Sequence, residues 1–219
     1  MAGLENVVNE IKPTAIIGAA TIANSFTPEI IRAMASFNER PIVFALSNPT
    51  SKAECSAEQA YVHSDGRAVY ASGSPFPSHI INGKTLHPGQ GNNAYIFPGV
   101  ALGAILCGCR HIPDEIFLLA SECLARQVTE EHLNEGRVYP PLQGIQDISS
   151  AIAIDVINYC YEVGLSGHYP KPDNIEAFVQ SQLYSHEYID YGPDMYSWPD
   201  EISRGQTQEW YLNNSFNSS

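Results

Sequence analysis

"RPIVFALSNP", residues 40–49, is a run of β-branched, aliphatic and aromatic residues that stops at Asn48-Pro49. A run without polar alternation suits a strand buried on both faces, and Asn-Pro suits the turn that ends it. Similar runs lie on either side. "TAIIGAA" (14–20) breaks at Gly18, as a buried strand meeting a tight turn does. The run 66–76, which after Gly66 reads "RAVYASGSPF", ends in Ser72-Gly73-Ser74-Pro75. Two helix signatures separate the three runs. "TPEIIRAMASF" (27–37) has Thr27 as N-cap, Pro28 at the first helical position and Glu29 in the first turn. "SAEQAYVH" (56–63) opens on Ser56 as a cap. The order βαβαβ predicts an α/β fold, one half of a doubly wound Rossmann-type parallel sheet covered on both faces.

From residue 98 the chain reads as helices. "PGVALGAILCG" (98–108) is apolar nearly all round and predicts a central, buried helix. Further helices are expected over 113–128, 129–136, 147–164 and near 174–184, the second and third of these stopped by Gly136 and Gly164. An aromatic, acidic segment follows, with Tyr184, Tyr188, Tyr191, Tyr196 and Trp198, and the last twenty residues are polar enough to predict disorder.

The chain of 219 residues is 44% hydrophobic, enough for a folded core, and carries a net charge of −13. Residues 1–110 hold seven basic and seven acidic side chains, so the whole excess lies in residues 111–219. Such a balance argues against nucleic-acid binding, which needs clustered Lys and Arg, and against anionic membranes. No apolar run approaches the ~20 residues that span a bilayer. The opening "MAGLENVVNEIKPT" carries Glu5 and Glu10 and lacks the pattern of a signal or Arg-rich transit peptide. Five cysteines, Cys55, Cys107, Cys109, Cys123 and Cys160, are scattered through apolar helical patterns and read as buried, reduced thiols.

Two features point to a ligand. The three strand runs end at their carboxyl sides in Gly18-Ala19, Ser47-Asn48 and Ser72-Gly73-Ser74, where ligands bind in open α/β sheets, although ordinary turns favour the same residues. The second is "HPGQGNNAYIFPG" (87–99), which contains Gly89-x-Gly91-x-x-Ala94 and so matches the dinucleotide fingerprint in letters. His87-Pro88 precedes it rather than a β-branched run, and the match is read as accidental. Asn92 and Asn93 are better candidates. Each amide offers a donor and an acceptor, which suits a ligand with carboxylate and carbonyl or hydroxyl oxygens; an Asx-turn that fixes the loop is the alternative. His132, Glu130-Glu131 and Asp200-Glu201 read as solvated groups, and Ser72-Gly73-Ser74 lacks the spacing of a nucleophile elbow.

The motifs "FNERPIVFALSNPT", "AECSAEQAY", "ASGSPF", "PGQGNNAYIFPGVALG", "EGRVYPPL" and "YSWPDE" together resemble malic enzyme, from about residue 4 to about residue 201. The resemblance implies oxidative decarboxylation of malate to pyruvate and carbon dioxide, with NAD or NADP and Mg2+ or Mn2+. It assigns residues 1–110 to the second half of the NAD(P)-binding domain, 111–201 to a helical region and 202–219 to a tail. It implies substrate contacts for Asn48 and Asn92. It implies cofactor contacts for Gly18, Ala19 and Ala20 of "IIGAAT", for Asn48 and for Asn93. Here the turn continues Thr21-Ile22-Ala23-Asn24, where the family has another glycine or alanine. The family's tyrosine acid, lysine base, malate-binding arginine, metal ligands and true fingerprint are expected upstream, which leaves no catalytic residue and no metal ligand in these residues. The polypeptide alone is therefore expected to be inactive. The resemblance also implies a homo-oligomer, a tetramer in the family, in the cytoplasm or alternatively the mitochondrial matrix. A truncated, inactive remnant that serves as an interaction module is the alternative function.

Overall fold

The computed structural model describes residues 3–184. Met1–Gln182 form one compact unit; of the separate unit Leu183–Ser219 only Leu183 and Tyr184 are described, so Tyr188, Tyr191, Tyr196, Trp198 and the polar tail lie outside the described residues. Helix α1 (Leu4–Ile11), which the sequence reading missed, leads into strand β1 (Ala15–Gly18). Helix α2 (Pro28–Phe37) follows, with the Ile30 amide donating to the Thr27 hydroxyl, and then β2 (Ile42–Ala45). Helix α3 (Ala57–His63) starts at a reciprocal cap: the Gln59 amide donates to Ser56 Oγ (3.1 Å) and the Ser56 amide to Gln59 Oε1 (2.8 Å). Strand β3 (Val69–Ser72) completes the predicted βαβαβ unit.

Two further pieces were not foreseen. A hairpin joins β4 (His79–Ile81) to β5 (Lys84–Leu86) through Asn82 and Gly83, both at positive φ (52° and 77°). Asn-Gly is the pair such a two-residue turn demands. Then β6 (Gly89–Gln90) adds a short fourth strand, giving a parallel sheet in the order β1-β2-β3-β6 with Gly18, Ala45 and Ser72 in register.

The sheet is not covered equally on its two faces, contrary to the sequence expectation. Ile16, Val43 and Tyr70 face a core made with Val8, Ile30, Met34 and Tyr61 from α1, α2 and α3. On the other face Ile17 is 63% exposed and Phe44 only half-buried. The cause is topological. Successive right-handed crossovers that add strands in one direction place their helices on one face, and this segment contains no reversal of direction.

The second core is helical, built from α4 (Phe97–Leu106), α5 (Asp114–Arg126), α7 (Ile145–Glu162) and α8 (Ile175–Gln182), while the short α6 (Glu130–Asn134) buries no residue. Helix α7 lies at its centre through Ile148, Ile152, Val156, Ile157 and Cys160. Helix α4 packs on it at close range because Gly99 and Gly103 present no side chain: an added Cβ at Gly103 lies 2.8 Å from Val156 Cβ and 2.9 Å from the Ala153 carbonyl. The expected burial of α4 all round is corrected, since Phe97 and Ile105 are 60% and 70% exposed. An all-apolar composition does not say which face is covered. Asp155 of α7 pairs with Arg126 of α5 at 2.5 Å.

Cys55, Cys107, Cys123 and Cys160 are buried as expected, Cys109 only half so, and all five thiols are free. Burial pushes Cys55 up to about 12 and Cys123 up to about 11, and raises Cys107 and Cys160. It raises the phenols of Tyr61 and Tyr70 as well, and pushes Tyr95 up to about 12 from 10.0. These acids stay protonated in the fold while the unfolded chain ionises near its ordinary values. The unfolded state thus binds fewer protons above about pH 9, and stability present below that pH falls as pH rises toward 12. Urea midpoints are expected to drop between pH 9 and 11, with the tyrosinate absorbance of Tyr61, Tyr70 and Tyr95 appearing only in the unfolding transition. Full tyrosinate absorbance from an intact fold would show that solvent reaches these rings.

Candidate functional site

Four parallel strands deliver their carboxyl ends to one side of the sheet, and all six predicted site residues end or follow three of them. At the end of β1, Gly18 is buried beneath the Glu54 side chain, and an added Cβ would lie 2.5 Å from Glu54 Cδ. The missing side chain at Gly18 thus makes room for Glu54. Ala19 and Ala20 are exposed and form a small-residue shelf. Thr21 then turns back at φ 57°, a conformation that β-branched residues rarely take, and its amide donates to Ser47 Oγ (2.9 Å).

After β2, Ser47 is buried and Asn48 exposed. Ser74 Oγ, from the turn after β3, donates to Asn48 Oδ1 at 2.6 Å. The two turns approach closely because Gly73 has no side chain; a Cβ there would collide with the Leu46 carbonyl. After β6, Asn92 Oδ1 accepts from the Ala94 amide (2.9 Å) and caps the single turn Asn93–Tyr95 that leads into α4. The Asx-turn alternative therefore describes the Asn92 oxygen, and its Nδ2 makes no hydrogen bond to the described residues. Asn93 is exposed.

Asn92 and Asn93 line a cleft of about 540 Å³ on the less covered face of the sheet, with Phe44, Leu46, Gly91 and Tyr139 among its walls. No charged side chain lines it. Tyr139 stacks on Tyr95 with ring centroids 5.6 Å apart and reaches Phe44 at 6.4 Å; burial raises its phenol. Tyr95 is held by a hydrogen bond from its hydroxyl to the Pro140 carbonyl (2.5 Å). Gly18, Ala19, Ala20 and Asn48 are not on the cleft walls. Three strand spacings separate β1 from β6, roughly 14 Å, so the predicted residues form a row along the sheet end and not one pocket.

The fingerprint-like glycines have a packing role. A Cβ at Gly89 meets Val138 Cγ2 at 3.1 Å, and one at Gly91 meets Leu46 Cδ2 at 3.0 Å. Gly89 lies within the two-residue strand β6, so the first glycine of the motif is a strand residue and not part of a strand-to-helix turn. His132 serves α6, its Nδ1 accepting from the Thr129 amide (3.2 Å). Among the described residues no group of three or more His, Cys, Asp or Glu side chains is placed to hold a metal ion. The described residues therefore do not fit a divalent cation.

Sequence reasoning missed Glu54, Ser47, Ser74 and Tyr139 as parts of this region. Ser47 and Ser74 stood within noted strand-end turns. Glu54 gave no signal, since one acid before a helix cap looks like any surface acid, yet it is 1% exposed.

Residues 1–161 match the family described as "Malic enzyme, NAD binding domain". The chain is 56% identical to the NADP-dependent malic enzyme of Homo sapiens, over 95% of this chain and 36% of that enzyme. It is 58% identical to the mitochondrial NADP-dependent malic enzyme of Homo sapiens, over 93% of this chain and 34% of that enzyme. The chain thus spans about a third of the length of the curated relatives it matches. Among solved structures, the malic enzyme of Pyrococcus horikoshii aligns over 77% of this chain and 34% of its own with a TM-score of 0.54 at 24% identity, a likeness of fold.

Proposed function

This chain belongs to the malic enzyme family, and on that premise we propose that it supplies part of the malate and dinucleotide site of an NAD(P)-dependent, malate-decarboxylating enzyme. The row of strand-end residues carries the reading. Asn48 and Asn92 offer amides that orient malate by hydrogen bonds to its carboxylate and hydroxyl oxygens, and neither moves a proton. Ala19 and Ala20 leave an open shelf on which the nicotinamide end of a dinucleotide rests, with Asn48 and Asn93 beside it. Bound dinucleotide supplies hydride acceptance. No step is assigned to a metal ion, because these residues do not fit one. We place the division between the dinucleotide-binding part and the helical region near residue 110, and the assembly as a homo-oligomer in the cytoplasm.

Malate-dependent formation of NAD(P)H is the test. The 219-residue polypeptide alone is expected to give no turnover above a protein-free blank, because its cleft carries no lysine, histidine or carboxylate to act as a base. A longer enzyme made by exchanging this segment for the matching third of the NADP-dependent malic enzyme of Homo sapiens is expected to turn over malate. Turnover by the 219 residues after stringent purification would place acid–base chemistry within them; a longer enzyme inert toward malate would end the functional reading.

A further inference from the structure

Glu54 is a buried carboxyl with no cation beside it: none of the ion pairs among the described residues includes it. A buried acid of this kind persists only if hydrogen bonds hold it. Both donors come from one residue. The Ser47 hydroxyl donates to Glu54 Oε1, and the Ser47 amide donates to Oε2 at 3.4 Å. Ser47 Oγ in turn accepts from the Thr21 amide (2.9 Å), so three groups form a chain, Thr21 N–H to Ser47 O–H to Glu54.

The backbone reinforces it. The Phe26 amide donates to the Glu54 carbonyl (3.0 Å) and the Asn24 amide to the Ala53 carbonyl (3.1 Å), which lays the loop after β1 along the residues before α3. The Glu54 side chain also fills the space over Gly18. One acid therefore bears on the ends of two neighbouring strands. At one end lie Gly18, Ala19, Ala20 and the left-handed Thr21; at the other lies Ser47, whose next residue is Asn48.

We propose that Glu54 is a positioning residue that, through Ser47, fixes the main chain at Asn48 and the turn after β1, and so sets the spacing between the malate amide and the dinucleotide shelf. The assignment rests on the malate-oxidising reading above. Gln at position 54 keeps the volume and one acceptor but presents an NH2 group to one of the two Ser47 donors. Ser47→Ala keeps Glu54 and removes the link to Thr21.

Two measurements decide it. In the 219-residue chain, E54Q and S47A are each expected to speed amide exchange at Thr21, and E54Q also at Ser47, by about tenfold or more, while core amides of β2 and α7 are unchanged. In the longer enzyme, E54Q is expected to raise KM for malate about tenfold and lower kcat, with S47A showing a smaller change of the same sign. A merely structural role would speed exchange across the whole sheet and reduce the amount of active enzyme without moving KM. Parental amide exchange at Thr21 and Ser47 in E54Q overturns the proposal, whatever the enzyme does. Parental KM in an active E54Q enzyme also overturns it. A parent enzyme that oxidises no malate removes the functional reading instead, and the exchange experiment still decides whether Glu54 holds the two turns.

Discussion

Asn48→Ala, placed in the longer enzyme that carries this segment, is expected to lower kcat/KM for malate roughly 100-fold while shifting Tm by no more than about 2 °C. An amide that hydrogen-bonds a charged ligand contributes about 1.5–3 kcal/mol, which is one to two powers of ten in rate. The stability side follows from the structure. Asn48 is exposed, and among the described residues its side chain takes a single hydrogen bond, from Ser74, whose hydroxyl can turn to water when the partner is removed. Asn92→Ala should behave differently. It removes the cap on the turn Asn93–Tyr95 as well as the free Nδ2, so its kinetic loss comes with a stability loss of about 1 kcal/mol. Unaltered kinetics in Asn48→Ala, together with a large fall in Tm, would assign Asn48 to the fold alone.

Gly103→Val is expected to destabilise the chain by about 3 kcal/mol or more, read as a fall in urea midpoint. The new side chain would enter a space where its first carbon already lies 2.8 Å from Val156 Cβ and 2.9 Å from the Ala153 carbonyl. Neither neighbour can yield, since both residues are fully buried in α7. Gly99 stands in the same relation to Ile152 and the Ser149 carbonyl, one turn earlier. Alanine at 103 gains about 1 kcal/mol of helix propensity and still meets the same wall, so a smaller loss is expected there. Gly144 is the control, because a Cβ there meets nothing. A Gly103→Val chain with the parental midpoint would mean that α4 and α7 do not pack this closely.

Local chemistry made much of this fold readable. The caps at Thr27 and Ser56, the apolar runs of β1 to β3 and the glycine stops at Gly136 and Gly164 all act within a few residues of themselves. Asn82-Gly83 is an equally local signal for the hairpin, but the strands it joins are too short to show an alternation of their own. Strand β6 was illegible for a related reason: two residues carry no periodicity. What covers each face of the sheet depends on the direction in which strands are added, which no window of sequence contains. In the site, turn residues at strand ends were legible as a class. Which of them hold one another was not, because Thr21, Ser47 and Glu54 are joined only by the fold, as are Asn48 and Ser74.

The uneven burial of the thiols has a use in bioconjugation. Alkylating reagents attack the thiolate at a surface they can reach. Cys55, Cys107, Cys123 and Cys160 fail on both counts, being enclosed and held in the protonated form. Cys109, half-open just past the end of α4, is left as the natural attachment point for a maleimide dye or spin label. One wild-type cysteine thus gives a reporter close to the α4–α7 contact without any engineered residue.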